Sequence, residues 1–295
     1  MRRHRTTARG IALPLLVIGF GLAAAFLSAR PAASETAGVP RLVFPLVAKT
    51  MWWDSYGDPR PNGSHAGIDI EAPWRAPVVA VEAGRVKYWD SGLGGCMLYL
   101  YGESGTTYMY IHLNNDLTAK NDNRGRCRET AYAVPDGARV SAGEQIAWNG
   151  DSGDANGNPH LHFEVHPGGG ADANPFRHLK RASLPLFAAK PGSKFSLGLR
   201  GKLLRAGADA VALEVERVRH YPGGRWLQVD PRPVELTVPV EAAIGPALTM
   251  AASLERREPK AGRPVVAYTV KANTTFHAIV GASGALAASR VSTTR

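Results

Sequence analysis

The chain is poor in cysteine, in helical periodicity and in charge-free runs. Its 295 residues include two cysteines, Cys96 and Cys127, so one internal bridge is the most it can form. Past the first thirty or so residues no long helical period stands out, which weighs against a helical architecture. No H-E-x-x-H occurs, so no glutamate base sits on a helix between two ligating histidines. The one long charge-free run, Gly10 to Ala29, follows the basic stretch Met1 to Arg9 and precedes the small residues Pro31-Ala32-Ala33-Ser34. That order is the pattern of an export signal. Twenty uncharged residues can also span a bilayer. Residues 1–37 are therefore read as a signal peptide or a membrane-anchor helix, and the membrane is a partner only if the segment is uncleaved. With arginine before the apolar run and little charge after it, the rest of the chain lies outside the cytoplasm either way. In an exported chain an even cysteine count favours a disulfide. Closing a loop of about thirty residues would restrict the unfolded chain by roughly 3–4 kcal/mol.

What is present divides the remainder in two. The net charge of +10 is uneven. Residues 38–189 carry fourteen basic and sixteen acidic side chains, whereas residues 190–295 carry sixteen basic and eight acidic ones. Outside the cytoplasm, the anionic partners open to so basic a region are wall polymers and lipid headgroups rather than nucleic acid. Lys190-Pro191-Gly192-Ser193 reads as a linker. Beyond it, alternation at Val211, Leu213 and Val215 and apolar runs near Trp226–Val229, Val234–Val238, Val265–Val270 and Phe276–Val280 predict five or six strands in a small β-barrel or sandwich. Pro222-Gly223-Gly224 suits a hairpin turn. Ala287 to Arg295 reads as a frayed end. Nothing in this region has catalytic spacing.

In the first region, short runs rich in β-branched and aromatic residues are punctuated by Gly and Ser: Val78–Val81, Gly84–Trp89, Met97–Tyr101, Thr106–His112, Ala138–Val140 and Gln145–Trp148. They predict an all-β, antiparallel fold. Asn114 to Thr130 is polar and reads as a loop, and so does Trp52 to Gly63, whose aromatic residues suit either a groove wall or buried anchors.

The informative stretch is Pro159-His160-Leu161-His162-Phe163-Glu164-Val165. On a strand, His160, His162 and Glu164 face one way and Leu161, Phe163 and Val165 the other. In His65-Ala66-Gly67-Ile68-Asp69-Ile70, an extended backbone brings His65 and Asp69 to one face, with Gly67 allowing close backbone approach. Two imidazoles and a carboxylate are a common zinc set with an open fourth position. A third strand, Thr107 to Leu113, ends in His112.

The order G-x-H-x-G-x-D, then Y-x-H-L, then H-L-H-F-E resembles the lysostaphin/LytM-type zinc endopeptidases that cut bacterial peptidoglycan. Ala76 to Val86 and Val140 to Ala147 are similar to further runs of that family, and the resemblance covers about Val43 to Leu179. It implies one zinc ion held by His65, Asp69 and His162, with His112 and His160 left unliganded for acid–base work. Because that family uses no thiolate, Cys96 and Cys127 are not expected at the metal. Tyr56, nine residues before His65, resembles the place of a transition-state tyrosine in some members. Glu164 is open to a role as acceptor for a ligand imidazole or to none, and His166 reads as exposed. The expected activity is that of an exported zinc metalloendopeptidase with peptidoglycan as its partner, residues 38–189 forming the peptidase. The rival reading is a non-catalytic peptidoglycan-binding or hydrolase-activating protein, whose family members typically lack some of the ligands; here all three ligands and both histidines are present.

Overall fold

The structure is a computed structural model that describes residues 38–61, 63–188, 196–206, 210–221, 224–237, 243–244, 264–271 and 286–293. The amino-terminal segment 1–37, the linker at 190–193 and the strand expected at 276–280 lie outside the described residues. Among the described residues, no helix is long and apolar enough to cross a membrane.

In chain order the elements are β1 (Pro59–Arg60), β2 (Gly63–Ser64), β3 (Ile68–Glu71), β4 (Pro77–Val79), β5 (Gly84–Ser91), β6 (Gly95–Gly102), β7 (Thr107–Leu113), the one-turn helix α1 (Cys127–Thr130), β8 (Arg139–Val140), β9 (Gln145–Trp148), β10 (His160–His166) and the short helix α2 (Phe176–Lys180). Strands β11 (Ser196–Ala206), β12 (Ala210–Tyr221), β13 (Leu227–Thr237), β14 (Ala243–Ile244), β15 (Pro264–Lys271) and β16 (Leu286–Thr293) follow. The first set forms a six-stranded antiparallel sheet, ordered β3-β10-β7-β6-β5-β8, with β4 and β9 as a separate pair.

Period-two alternation sets the two faces of this sheet. Leu98, Leu100, Tyr108, Tyr110, Leu161, Phe163 and Val165 are fully buried on one side. Phe163 sits at the centre, its ring 6.1 Å from Tyr108 and 5.3 Å from Tyr110. The other face carries His160, His162, Glu164, Met109, Ile111, Tyr99 and Tyr101, brought side by side by the registers Glu164↔Met109 and Tyr99↔Met109.

The second sheet is ordered β13-β12-β11-β15-β16-β14, and β16 also pairs in parallel with β13, so that five strands close into a ring. The end expected to fray is therefore corrected: β16 is a strand, paired with β15 from Val265↔Thr293 to Lys271↔Ala287. Pairing with a strand fifteen or more residues away in sequence is what local composition does not encode. Strands expected separately near 226–229 and 234–238 are one strand, β13. Its register against β12 shifts between Val215 and Arg217, whose partners Arg232 and Gln228 flank Pro231, whereas Pro233 pairs in register with Glu214.

The run Leu42–Ala48 explains how the two sheets meet. Leu42, Phe44, Leu46 and Ala48 pack into the core under the first sheet, whereas Val43 and Val47 pack with Leu197, Leu199, Leu213 and Val215 of the second. Val78 and Val79 divide in the same way. Both faces of this segment are buried, which is why its sequence is a continuous apolar run rather than an alternating one.

Candidate metal centre and groove

Three potential ligand atoms converge on the polar face of the first sheet. His65 Nε2 lies 3.0 Å from Asp69 Oδ1 and 2.9 Å from His162 Nδ1, and His162 Nδ1 lies 2.9 Å from Asp69 Oδ1. The register pairs His162 directly with Asp69 across β10 and β3, while His65 folds in from the turn before β3. Gly67 makes this approach possible: a Cβ there would stand 2.5 Å from the Phe163 carbonyl oxygen and 2.9 Å from His162 Nε2. Among the described residues these three are the cluster able to hold a metal ion. With ligand distances of about 2.0–2.2 Å, tetrahedral zinc needs edges of roughly 3.3 Å, so the tripod accepts it with a few tenths of an ångström of expansion.

The outer nitrogens are tied down in the way a metal site requires. His65 Nδ1–H donates to the Ser55 carbonyl at 2.7 Å, and His162 Nε2–H donates to Glu164 Oε1 at 2.9 Å. Each bond fixes a tautomer that leaves the inward nitrogen bare. Arg60 Nη2 donates to Asp69 Oδ2 at 2.7 Å and holds the carboxylate from its other side. His166 extends the chain, with Nε2 2.7 Å from Glu164 Oε2 and Nδ1 3.0 Å from the Gly170 carbonyl. The reading of His166 as merely exposed is thereby corrected, and Glu164 takes the first of its two open readings.

The electrostatics follow from these contacts. Burial would raise the Asp69 carboxyl, but hydrogen bonds from His162 and His65 hold it well below the usual carboxylate range. Burial would lower the His162 imidazole, yet Asp69 and Glu164 raise it to about 9. Glu164, despite burial, is lowered to about 2 by His162 and His166.

His112 and His160 stand beside the tripod, their rings 4.8 Å apart. Their Nδ1–H groups donate to the carbonyls of Ser152 and Asn158 at 2.8 and 2.9 Å, so both Nε2 atoms are bare. His160 Nε2 lies 3.7 Å from Asp69 Oδ1, and His112 Nε2 lies 3.7 Å from Asp154 Oδ1. Burial first, and His160 second, push the His112 imidazole down to about 4. His112 reaches this place against the alternation of β7, which would turn it into the core with Tyr108 and Tyr110. Its φ of +61° reverses that, and its N–H bonds to Gly94 rather than to a strand partner. A left-handed histidine is a strained residue held by its surroundings.

Tyr56 is elsewhere. Its hydroxyl donates to Asp172 Oδ2 at 2.7 Å, which raises its pKa, and it does not line the groove. Trp52 is an anchor, 5.7 Å from Phe44 and 5.6 Å from Phe176. The groove over the tripod has a volume of about 700 Å³. Arg60, Pro61 and Ser64 of the β1–β2 hairpin form one wall, Ser91, Leu93 and Gly94 of the β5–β6 turn and the stretch around Asp154 and Asn156 form others, and Met97, Met109 and Ile111 lie in its floor. Cys96 and Cys127 are bonded to each other, with their Cα atoms 5.3 Å apart, and pin the loop 114–126 to β6.

Sequence reasoning missed Arg60, the orienting carbonyls of Ser55, Ser152 and Asn158, and the part played by His166. Only His166, on the same strand face as Glu164, left a signal that could have found it.

No family model matches the chain. It is 29% identical over 138 residues to an uncharacterized lipoprotein, YgeR, of Escherichia coli (strain K12), a match covering 45% of this chain and 49% of that protein. The chain thus spans about half the length of the curated relative it matches. Among solved structures, it is similar to the catalytic domain of the antimicrobial peptidase lysostaphin from Staphylococcus simulans, at 26% identity and a TM-score of 0.37, over 44% of this chain and 92% of that one. A zinc-containing peptidase from Vibrio cholerae matches at 23% identity and a TM-score of 0.35, over 50% of this chain and 41% of that one. In its three motifs and in the tripod they build, the part of the chain from about residue 43 to residue 179 resembles the lysostaphin/LytM-type peptidases.

Proposed function

We propose that the chain is an exported, zinc-dependent endopeptidase that hydrolyses amide bonds in the peptides of peptidoglycan. One observation carries this reading: the inward atoms of His65, Asp69 and His162 converge to 2.9–3.0 Å of one another, beside two further imidazoles whose Nδ1 atoms are tied to carbonyls and whose Nε2 atoms are left for chemistry. One zinc ion held by that tripod would supply a Lewis acid that polarises a peptide carbonyl and makes water nucleophilic near neutral pH. The remaining chemistry belongs to the protein. His112, buried and neutral at physiological pH, is the proton acceptor for the attacking water at Nε2. His160, its ring 4.8 Å from that of His112, takes the second place in the pair and in its protonated form hydrogen-bonds the carbonyl oxygen as charge develops there, while the proton taken by His112 passes to the leaving nitrogen as the C–N bond breaks. The Ser152 and Asn158 carbonyls hold both rings in the required tautomer. Tyr56 has no part in this scheme, its hydroxyl being engaged by Asp172.

The disulfide supports export, since such bonds persist outside the cytoplasm. Residues 190–295, with their net charge of +8, would add affinity for anionic wall polymers. That region is bound to the peptidase through the shared packing of Val43, Val47 and Val79, and removing it would expose these residues. Charge-reversal variants therefore test its role better than deletion. The reading is tested by incubating the exported chain with purified peptidoglycan and counting new amino termini, with and without a chelator. Chelator-sensitive release, restored by zinc and lost in His112→Ala, supports it. Binding of zinc and wall without new termini would make the protein a binding module instead.

A further inference from the structure

The polar face of the first sheet does not end at the groove. Across β6 and β5 it continues as a ledge of aromatic rings: Trp89, Tyr99 and Tyr101. Trp89 is 54% exposed and Tyr101 49% exposed. The rings of Trp89 and Tyr99 lie 6.2 Å apart edge to face, and those of Tyr99 and Tyr101 lie 6.4 Å apart and within 13° of parallel. Solvent-facing rings grouped in this way are costly in water and mark contact surfaces. The ledge is continuous with the groove: Trp89 pairs with Met97 and Tyr99 with Met109, and both methionines lie in the groove floor.

The occupant follows from what the ledge offers. Strands β6 and β7 are interior, with both edges paired, so an extended peptide lying over them finds no backbone donors or acceptors. The ledge offers aromatic rings and a rim of Arg85 and Lys87, which stand opposite Tyr101 and Tyr99 across β5 and β6 and whose head groups also bond to the Gly137 carbonyl and to Asp136. A pyranose needs just this: its axial C–H groups stack on an aromatic face, and its hydroxyl and acetamido groups meet polar side chains at the edge. A hexose chain also reaches from the ledge to the metal centre, because the centre of β10 is two strand spacings, roughly 10 Å, from β6.

We propose that Trp89, Tyr99 and Tyr101 form a glycan-binding ledge that holds the amino-sugar chain of the substrate while its peptide enters the groove. This inference rests on the proposed peptidase function for its purpose, but its test does not. The full chain, freed of metal so that nothing is cleaved, is titrated with peptide-free amino-sugar strands, and the fluorescence of its tryptophans is followed beside Trp89→Ala, Tyr101→Ala and the conservative Trp89→Phe. The ledge predicts saturable binding that weakens about tenfold, or about 1.4 kcal/mol, for each ring removed, and that Trp89→Phe largely restores. Circular dichroism identical to wild type shows that these surface changes leave the fold intact. No binding by the wild type, or equal binding by both alanine variants, would overturn the ledge. Binding lost in the variants, in a protein that cuts no peptide even with zinc, would uphold the ledge and reject the peptidase reading.

Discussion

The role of Glu164 can be tested with a magnitude. In Glu164→Ala, the His162 Nε2–H loses its acceptor at 2.9 Å and His166 loses its own at 2.7 Å. Removing such an orienting partner costs about tenfold to a hundredfold in metal affinity, or about 1.4–2.7 kcal/mol. A second effect opposes it. Glu164 also helps raise His162 to about 9, so at pH 7 a proton competes with zinc for Nδ1. Without Glu164 that proton is held less tightly and competes less. The two effects separate with pH. Above about pH 9, where proton competition has gone, the full loss of orientation appears; near pH 7 the loss shrinks. Glu164→Gln keeps an acceptor for His162, though it offers His166 an amide donor in place of the acceptor, and should lose less than about tenfold at either pH. The assay is competition for zinc against a chromogenic chelator at pH 7 and pH 9.5. Equal affinities for wild type and Glu164→Ala at pH 9.5 would refute the claim that this carboxylate orients His162.

Three further outcomes follow from the same geometry. His162 is raised from 6.5 to about 9, so its contribution to metal-free stability is complete below pH 6.5 and fades as pH rises through 9. His112 is lowered to about 4, so its contribution is present above pH 6.5 and fades as pH falls through 4. The difference in Tm between the chelated wild type and His162→Ala should therefore shrink from pH 6.5 to pH 9, whereas a constant difference would count against the pairing. Replacing Cys96 and Cys127 together with serine should cost roughly 3–4 kcal/mol for a separation of 31 residues, read as a lower midpoint in urea, with zinc binding retained. Because His112 has a positive φ, His112→Gly should keep zinc and stability while losing at least about a hundredfold in turnover, and His112→Val should also lose about 1–3 kcal/mol of stability. Equal stabilities for the two variants would remove the argument from strain.

The legibility of this site in the sequence varied from residue to residue. His160, His162 and Glu164 could be placed because one strand period decides their face, and Asp69 because it sits on a second strand of the same kind. His112 could be recognised only by its motif, since the period of β7 points it the wrong way and a backbone reversal that no side chain announces turns it back. The orienting groups of Ser55, Ser152 and Asn158 are backbone carbonyls, which every residue has, and only the folded chain says which ones face an imidazole. Arg60 lay in a segment read as loop, where the β1–β2 hairpin aims it at Asp69. In the second region the strand near 211–215 was legible from alternation and that near 265–270 from its apolar run. The closure of the ring by β16 was not, because it depends on pairing with β13 and β15 far along the chain.

The central claim is that His65 Nε2, Asp69 Oδ1 and His162 Nδ1 bind one zinc ion. Anomalous diffraction at the zinc edge, from crystals of the exported chain grown with equimolar zinc, tests it most directly. The account predicts one strong peak among those three atoms, about 2.0–2.2 Å from each, with His112 and His160 unliganded. No peak there, or a peak ligated by His112 or His160 in place of His65 or His162, would contradict it.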